Sequence, residues 1–120
     1  MKIVIARLFW LLAILSFTPM ALAHTGLSSS VPENNQQMQK APEQLQLTYS
    51  GPVRLARVEL RGPDGVRQDL DISEQREVST SFALALPDNL VLGKHTARWT
   101  ILGEDGHTMA GVVSFTIQGP

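Results

Sequence analysis

No cysteine occurs in this sequence of 120 residues, which excludes disulfide bonds, thiolate metal ligands and thiol nucleophiles. Any metal chemistry must therefore rely on histidine, methionine and carboxylate side chains, together with a free N-terminal amine. Without disulfides, the domain must be stabilised by its hydrophobic core, which a chain of about 100 residues can supply.

Basic residues are not in excess either, because 10 Lys and Arg stand against 11 Asp and Glu. Recognition of nucleic acid needs a positively charged surface, and the sequence has no cluster of Lys and Arg to form one. We therefore expect no nucleic-acid partner.

Long apolar runs are also missing, with one exception at the N-terminus. Residues 1–7 include two basic side chains, residues 8–18 are almost entirely apolar, and Ala21-Leu22-Ala23 places small residues before a cleavage point. This pattern is typical of a secretory signal peptide, and the run is too short for a stable membrane-spanning helix. We expect residues 1–23 to be removed, leaving a mature domain of residues 24–120 that does not span a membrane and has a net charge of −3.

The mature sequence consists of short segments in which apolar and polar residues alternate, separated by Gly, Pro, Asp and Asn. The predicted strands are Leu27–Val31, Leu45–Tyr49, Val53–Arg61, Val66–Ile72, Glu77–Leu86, one that begins at His95 and includes Trp99, and one through Val113 to Ile117. Seven short strands in about 100 residues predict an all-β, immunoglobulin-like Greek-key β-sandwich or barrel. The polar segment 32–42 is predicted to connect strands rather than to form one.

This strand order predicts which loops share an end of the sandwich. The mature N-terminus, the segment Ser50-Gly51-Pro52 and the loop 103–110 are expected at one end. The segment 32–42 and the corner before His95 are expected at the other end. At about 3.3 Å per residue, the two ends lie ~20–25 Å apart.

The expected common end holds a candidate metal site formed by His24, Asp105 and His107. An N-terminal histidine offers its α-amine and its ring Nδ1 to one metal ion. Asp105 and His107 are two residues apart, so both side chains can point the same way, and Gly106 permits a tight turn. Three nitrogens and one carboxylate oxygen suit the tetragonal geometry of Cu(II). Taken alone, Asp105-Gly106-His107 is also compatible with a simple polar turn.

Motifs along the whole mature chain resemble those of the CopC copper-resistance family. They are His24-Thr25-Gly26-Leu27, Ala41-Pro42-Glu43, the strand Leu45–Ser50, Gly62-Pro63-Asp64-Gly65, Leu86-Pro87-Asp88, Gly93, Trp99, Glu104-Asp105-Gly106-His107, Gly111 and Phe115-Thr116-Ile117. The specific part is the Asp-Gly-His loop combined with a processed N-terminal histidine. The resemblance implies a periplasmic or exported β-sandwich that binds one Cu(II) ion through His24, Asp105 and His107 and has no catalytic residues.

The same resemblance implies a role in copper resistance or homeostasis. The expected protein is a monomer that sequesters or carries Cu(II), with a CopD-like inner-membrane copper transporter as its partner. Two features differ from some members of the family. Gly26 stands where they have a second histidine, and the mature chain has only Met38 and Met109, too few for a methionine-rich Cu(I) loop.

Two other functions remain open from the sequence. An N-terminal histidine with a second histidine also resembles the copper brace of polysaccharide monooxygenases. Against an enzyme of that type, Asp105 should favour Cu(II) over Cu(I), and aromatic residues that would stack on a sugar make up only 6% of the chain. The other alternative is an exported interaction module without metal. His95 is predicted to be structural, although a weak site with Met38 is conceivable.

Overall fold

The computed structural model describes residues 26–120. They form seven strands, β1 (Leu27–Val31), β2 (Gln36–Met38), β3 (Gln44–Arg61), β4 (Arg67–Asp69), β5 (Ser79–Ala85), β6 (Gly93–Gly103) and β7 (Thr108–Ile117). This part of the chain includes no helix with the length and apolarity that crossing a membrane requires. The predicted signal peptide and His24 lie outside the described residues.

Strand β3 lies at the centre of the fold and pairs with four other strands. Its first half pairs with β1 and with β5, and its second half pairs with β6 and β4. The register along β5 shifts between Thr48 and Val53, the stretch that contains Gly51 and Pro52. Strand β3 therefore belongs to both layers. One layer contains β1 and β5, and the other continues through β6, β7 and β2.

The prediction of an all-β fold with seven strands is confirmed, but several strand bounds differ and β4 is only Arg67–Asp69. Two assignments change more fundamentally. The segments Leu45–Tyr49 and Val53–Arg61, predicted as separate strands, are parts of the continuous β3. The polar segment 32–42, predicted as a connection, contains β2. This short strand runs parallel to β7, with Gln36 opposite Phe115. Backbone hydrogen bonds suffice for such an edge strand, so its side chains need not be apolar.

The core lies between the two layers and takes alternate residues from each long strand. Its buried members are Leu45, Leu47, Tyr49, Val53, Leu55, Val58, Leu60, Leu70, Phe82, Leu84, Leu86, Ala97, Trp99, Ile101, Val113, Phe115 and Ile117. Tyr49 from β3 meets the edge of Trp99 from β6, with ring centroids 5.2 Å apart. Burial of each large side chain contributes roughly 1.5–3 kcal/mol, so this cluster replaces the absent disulfides.

The hairpin of β6 and β7 positions the candidate site. The two strands pair from Gly93 opposite Ile117 to Leu102 opposite Thr108. Trp99 lies across Gly111 of the neighbouring strand, where a Cβ atom would overlap the indole ring. This close contact and the long ladder fix the turn that follows Gly103.

Candidate metal centre

The turn between β6 and β7 is closed by the carboxylate of Asp105. The backbone N–H of His107 donates to Oδ1 of Asp105 at 3.0 Å, and Nδ1 of His107 lies 2.9 Å from Oδ2. The N–H of Gly103 donates to the carbonyl of His107 at 2.9 Å, and the N–H of Gly106 donates to the carbonyl of Gly103 at 3.0 Å. Gly106 has a φ of 86°, a left-handed conformation that glycine adopts without strain. The turn therefore fixes the Asp105 carboxylate beside the His107 ring.

Both side chains of this pair face solvent. The His107 side chain is 82% exposed and the Asp105 side chain 68% exposed. Hydrogen bonding from His107 lowers the pKa of Asp105 below its usual value. The same hydrogen bond and the negative charge of Asp105 raise the pKa of His107 above its usual value. The pair thus combines a carboxylate with an imidazole that binds protons more strongly than usual.

The described chain begins at the same end of the sandwich. The N–H of Ser50 donates to the carbonyl of Gly26 at 3.0 Å, and the N–H of Gly26 donates to Oγ of Ser50 at 3.2 Å. A few residues further along β3, Val53 pairs with Gly103. The predicted common end of Gly26, Ser50 and the loop after Gly103 is therefore found in the structure.

His24 precedes Gly26 by two residues and is not among the residues described. Within residues 26–120, no group of three or more His, Cys, Asp and Glu is suited to hold a metal ion. Asp105 and His107 lie together in one loop, and His24 is the residue that the sequence predicts to join them in a metal site.

The third histidine, His95, is not part of this group. It pairs with Phe115 near the start of β6, eight residues before Gly103, which corresponds to about 26 Å along a strand. The ring is 2% exposed and stacks on Phe115 with centroids 5.5 Å apart. Its Nε2 lies 2.8 Å from the carbonyl of Val91. The predicted structural role of His95 agrees with this burial.

The Asp105–His107 pair offers a carboxylate and an imidazole, which are donor types that Cu(II) accepts. Oδ2 of Asp105 and Nδ1 of His107 are 2.9 Å apart, the distance of a hydrogen bond between them. Sequence reasoning placed both residues in one loop but did not predict the bonds between them. The available signal was the Asp-Gly dipeptide, since aspartate side chains often accept the N–H two residues later.

Comparison with known proteins assigns nearly all of the described chain to one family. Residues 27–118 match the family model of the CopC domain. The copper transport protein CutJ of Bacillus subtilis is 29% identical over 111 residues, which cover 89% of this chain but 20% of CutJ. The chain thus spans about one fifth of that relative. Protein YobA of Escherichia coli K12 is 27% identical over 104 residues, which cover 84% of each chain.

Solved structures show the same fold. CopC from Methylosinus trichosporium OB3b superposes with a TM-score of 0.64 at 20% identity and covers 80% of this chain and 95% of its own. PcoC, a methionine-rich copper resistance protein from Escherichia coli, superposes with a TM-score of 0.57 at 22% identity and covers 80% of this chain and all of its own. At these identities the similarity establishes the β-sandwich fold.

Proposed function

This chain belongs to the CopC family, and on that premise we propose that it binds one Cu(II) ion through His24, Asp105 and His107. The observation that carries the proposal is the Asp105–His107 pair. It sets a carboxylate oxygen 2.9 Å from an imidazole nitrogen in an exposed loop. The loop lies at the end of the sandwich where the described chain begins at Gly26.

Three nitrogens and one oxygen form the proposed donor set. His24 supplies its α-amine and ring Nδ1, His107 supplies an imidazole nitrogen, and Asp105 supplies a carboxylate oxygen. Cu(II) prefers a tetragonal arrangement of such N and O ligands and binds them more tightly than the other divalent first-row metals do. The carboxylate also reduces the net charge of the site, which favours the doubly charged ion over Cu(I).

The proposed role is to sequester or carry Cu(II) for copper resistance and homeostasis, as a monomer. Both described ligands are exposed, so an acceptor can reach the metal without unfolding the sandwich. The N-terminal sequence pattern supports export, and we place the mature protein in the periplasm. A CopD-like copper transporter of the inner membrane is the proposed partner, in agreement with the similarity to a copper transport protein.

Cu(II) titration followed by electron paramagnetic resonance (EPR) tests this proposal directly. The protein that begins at His24 should bind one equivalent tightly, with hyperfine couplings from three nitrogens and parameters typical of a tetragonal N₃O site. A protein that binds Cu(II) only weakly, or binds several ions with similar affinities, would contradict the assignment. The metal-free interaction module would then be the better explanation of the chain.

We propose binding without catalysis. A copper-brace oxidase must cycle through Cu(I), whereas an ionised Asp105 stabilises Cu(II), and its carboxyl pKa is lowered further by His107. The assay is peroxide production by the copper-loaded protein with ascorbate. The rate should not exceed that of the same protein with His107→Ala and the same total copper, whose more weakly bound copper is itself reduced by ascorbate. A rate well above that control would favour the enzyme.

A further inference from the structure

A cavity of about 220 Å³ opens at the end of the sandwich opposite Asp105 and His107. It lies between the β3–β4 turn, residues 62–66, and the β5–β6 connection, residues 89–91, with the ring of His95 in its wall. Pro63 holds this turn over the start of β6, because a Cβ atom on Gly93 would lie only 2.9 Å from its ring. The cavity is therefore formed by two segments in tight contact, and we call it the His95 pocket.

The hydrogen bonding of His95 leaves one ring nitrogen for an occupant of this pocket. Its Nε2–H donates to the carbonyl of Val91 at 2.8 Å, which leaves Nδ1 as the ring atom that can accept a hydrogen bond. Nδ1 is buried, and nothing within residues 26–120 donates to it. Buried polar atoms almost always have a partner, so this nitrogen has unused capacity to accept a hydrogen bond from an occupant of the pocket.

A carboxylate borders the same volume as this nitrogen. A Cβ atom on Gly62 would lie 3.7 Å from Nδ1 of His95 and 3.1 Å from Oδ1 of Asp64. The absence of a side chain at Gly62 keeps that volume open. Oδ1 of Asp64 accepts the N–H of Val66 at 3.1 Å, and the ion pairs found among the described residues do not include Asp64.

The size and the walls of the pocket limit what it can hold. Its volume is several times that of one water, about 30 Å³, but it is smaller than the ~300–1,000 Å³ of pockets for drug-sized ligands. It therefore fits a single side chain. Leu60 and Leu90 line it, and Val66 and Val91 at its rim are 64% and 55% exposed. An apolar stem with a donating, positively charged head matches these walls and the two acceptors.

We propose that the His95 pocket is a docking site for the cationic side chain, lysine or arginine, of a protein partner. The charged head binds Asp64 and Nδ1 of His95, and the aliphatic stem packs against Val66 and Val91. The mature chain's net charge of −3 favours approach of a basic surface. The pocket is about 25 Å from the loop of His107, so a docked partner leaves that loop accessible.

Nuclear magnetic resonance (NMR) titration of the metal-free protein that begins at His24 tests this site. The probes are the N-acetyl amides of lysine, arginine and norleucine, the last being a neutral side chain with a similar stem. Lysine or arginine should cause saturable shifts at Gly62, Asp64 and His95, with a Kd on the order of 1–10 mM. Comparison of these two probes identifies the preferred head group. Norleucine should bind at least tenfold more weakly.

Two substitutions and one control complete the experiment. Asp64→Asn removes the charge and Gly62→Ala fills the open volume, so each should raise the Kd at least fivefold. Asp69→Asn makes the same charge change outside the pocket and should leave the Kd within twofold. Absence of saturable shifts, equal binding of norleucine, or an unchanged Kd in Asp64→Asn would overturn the proposal. If Gly62→Ala fails to fold, the Kd of Asp64→Asn alone still tests the proposal.

Discussion

At the scale of single residues, the chemistry of the candidate site depends on what the Asp105 carboxylate contacts. Its two oxygens bind the backbone N–H and the ring of His107, so the carboxylate is oriented before any metal arrives. Each carboxylate oxygen has a further lone pair, which leaves capacity for a metal ion. The carboxylate is therefore held in place, which would reduce the entropy lost when the proposed site binds a metal.

Substitutions in the loop should separate the contributions of the two ligands. His107→Ala removes an imidazole and should weaken Cu(II) binding by more than about 100-fold, whereas Asp105→Asn keeps an oxygen and should weaken it about 10–100-fold. Asp105→Asn should also raise the Cu(II)/Cu(I) potential, because it removes a negative charge. Competition titration with a Cu(II) chelator and voltammetry measure these effects.

Glu104→Gln is the matched control, since Glu104 is an exposed acid beside the same turn. It should leave the affinity within about twofold, as expected for exposed charges screened by salt. His95→Ala should leave the affinity of the folded protein unchanged, because His95 lies at the other end. Loss of binding in His95→Ala together with normal binding in His107→Ala would contradict the site.

The Asp105–His107 pair should also be visible in a pH titration. The raised pKa of His107 means that its contribution to loop stability is complete below about 6.5 and is lost as pH rises through the raised value. The contribution of Asp105 is present above about 3.9 and is lost as pH falls through its lowered pKa. NMR should place the His107 midpoint above 6.5 in the native chain and closer to 6.5 in Asp105→Asn.

Copper binding should follow the same titration. Protons compete with the metal for His107. Because the pKa of His107 is raised, acidification should lower the Cu(II) affinity starting at a pH above 6.5. Glu104→Gln should leave the His107 midpoint unchanged. If Asp105→Asn has the same midpoint as the native chain, the hydrogen bond between Asp105 and His107 is absent in solution.

At the scale of strands, the apolar alternation predicted most of the fold. Leu45, Leu47 and Tyr49 alternate with polar residues and are buried as predicted. The continuity of β3 through Gly51 and Pro52 was not predictable, because local turn propensity indicated a break. Pairing with different neighbours before and after this point keeps the strand extended. Strand β2 was missed for a related reason, since backbone pairing to β7 leaves no apolar pattern in a glutamine-rich segment.

The contact between Trp99 and Gly111 gives a prediction about the β6–β7 hairpin. Gly111→Ala places a Cβ atom where the indole ring lies, so the ring must shift and its edge contact with Tyr49 must change. The expected cost in the free energy of unfolding is about 1–3 kcal/mol, typical of overpacking. Urea unfolding measures it, and fluorescence reports on this contact because Trp99 is the only tryptophan in residues 24–120.

Val112→Thr is the matched control for this substitution. Val112 is the next residue of β7 and is exposed, so the change should alter the unfolding free energy by no more than about 0.5 kcal/mol. Equal stabilities of Gly111→Ala and the native chain would show that the ring is not packed over Gly111.

At the scale of the whole molecule, the sandwich separates two sets of polar groups. Asp105 and His107 lie in the turn after Gly103, whereas His95 and Asp64 border a pocket near the start of β6. The order of strands alone predicted that His95 lies at the end opposite the loop 103–110. It did not predict the pocket, because the open volume over Gly62 depends on how the turn 62–66 packs against the segment before Gly93.

The last prediction concerns the start of the mature chain. In the precursor, the backbone nitrogen of His24 belongs to an amide bond with Ala23, and its lone pair is delocalised into that bond. The predicted cleavage after Ala23 would convert it into an amine with a pKa of about 7.7–8.0, which can bind a metal once it is deprotonated. Export would thereby create the chelating residue, and the uncleaved protein in the cytoplasm would bind copper only weakly.

The experiment compares protein that begins at His24 with protein that carries one additional alanine before it. The extended protein keeps every side chain but lacks the amine at His24. Loss of a residue that only hydrogen-bonds to a metal ligand typically costs about 10–100-fold in affinity, so loss of a ligand should lower the Cu(II) affinity at least as much. Its EPR spectrum should also lose one nitrogen coupling. His107→Ala in both backgrounds provides the control, because the extension should have a smaller effect once the site is already broken. Equal affinities and identical spectra for the two proteins would remove the amine, and with it the chelate at His24, from the copper site.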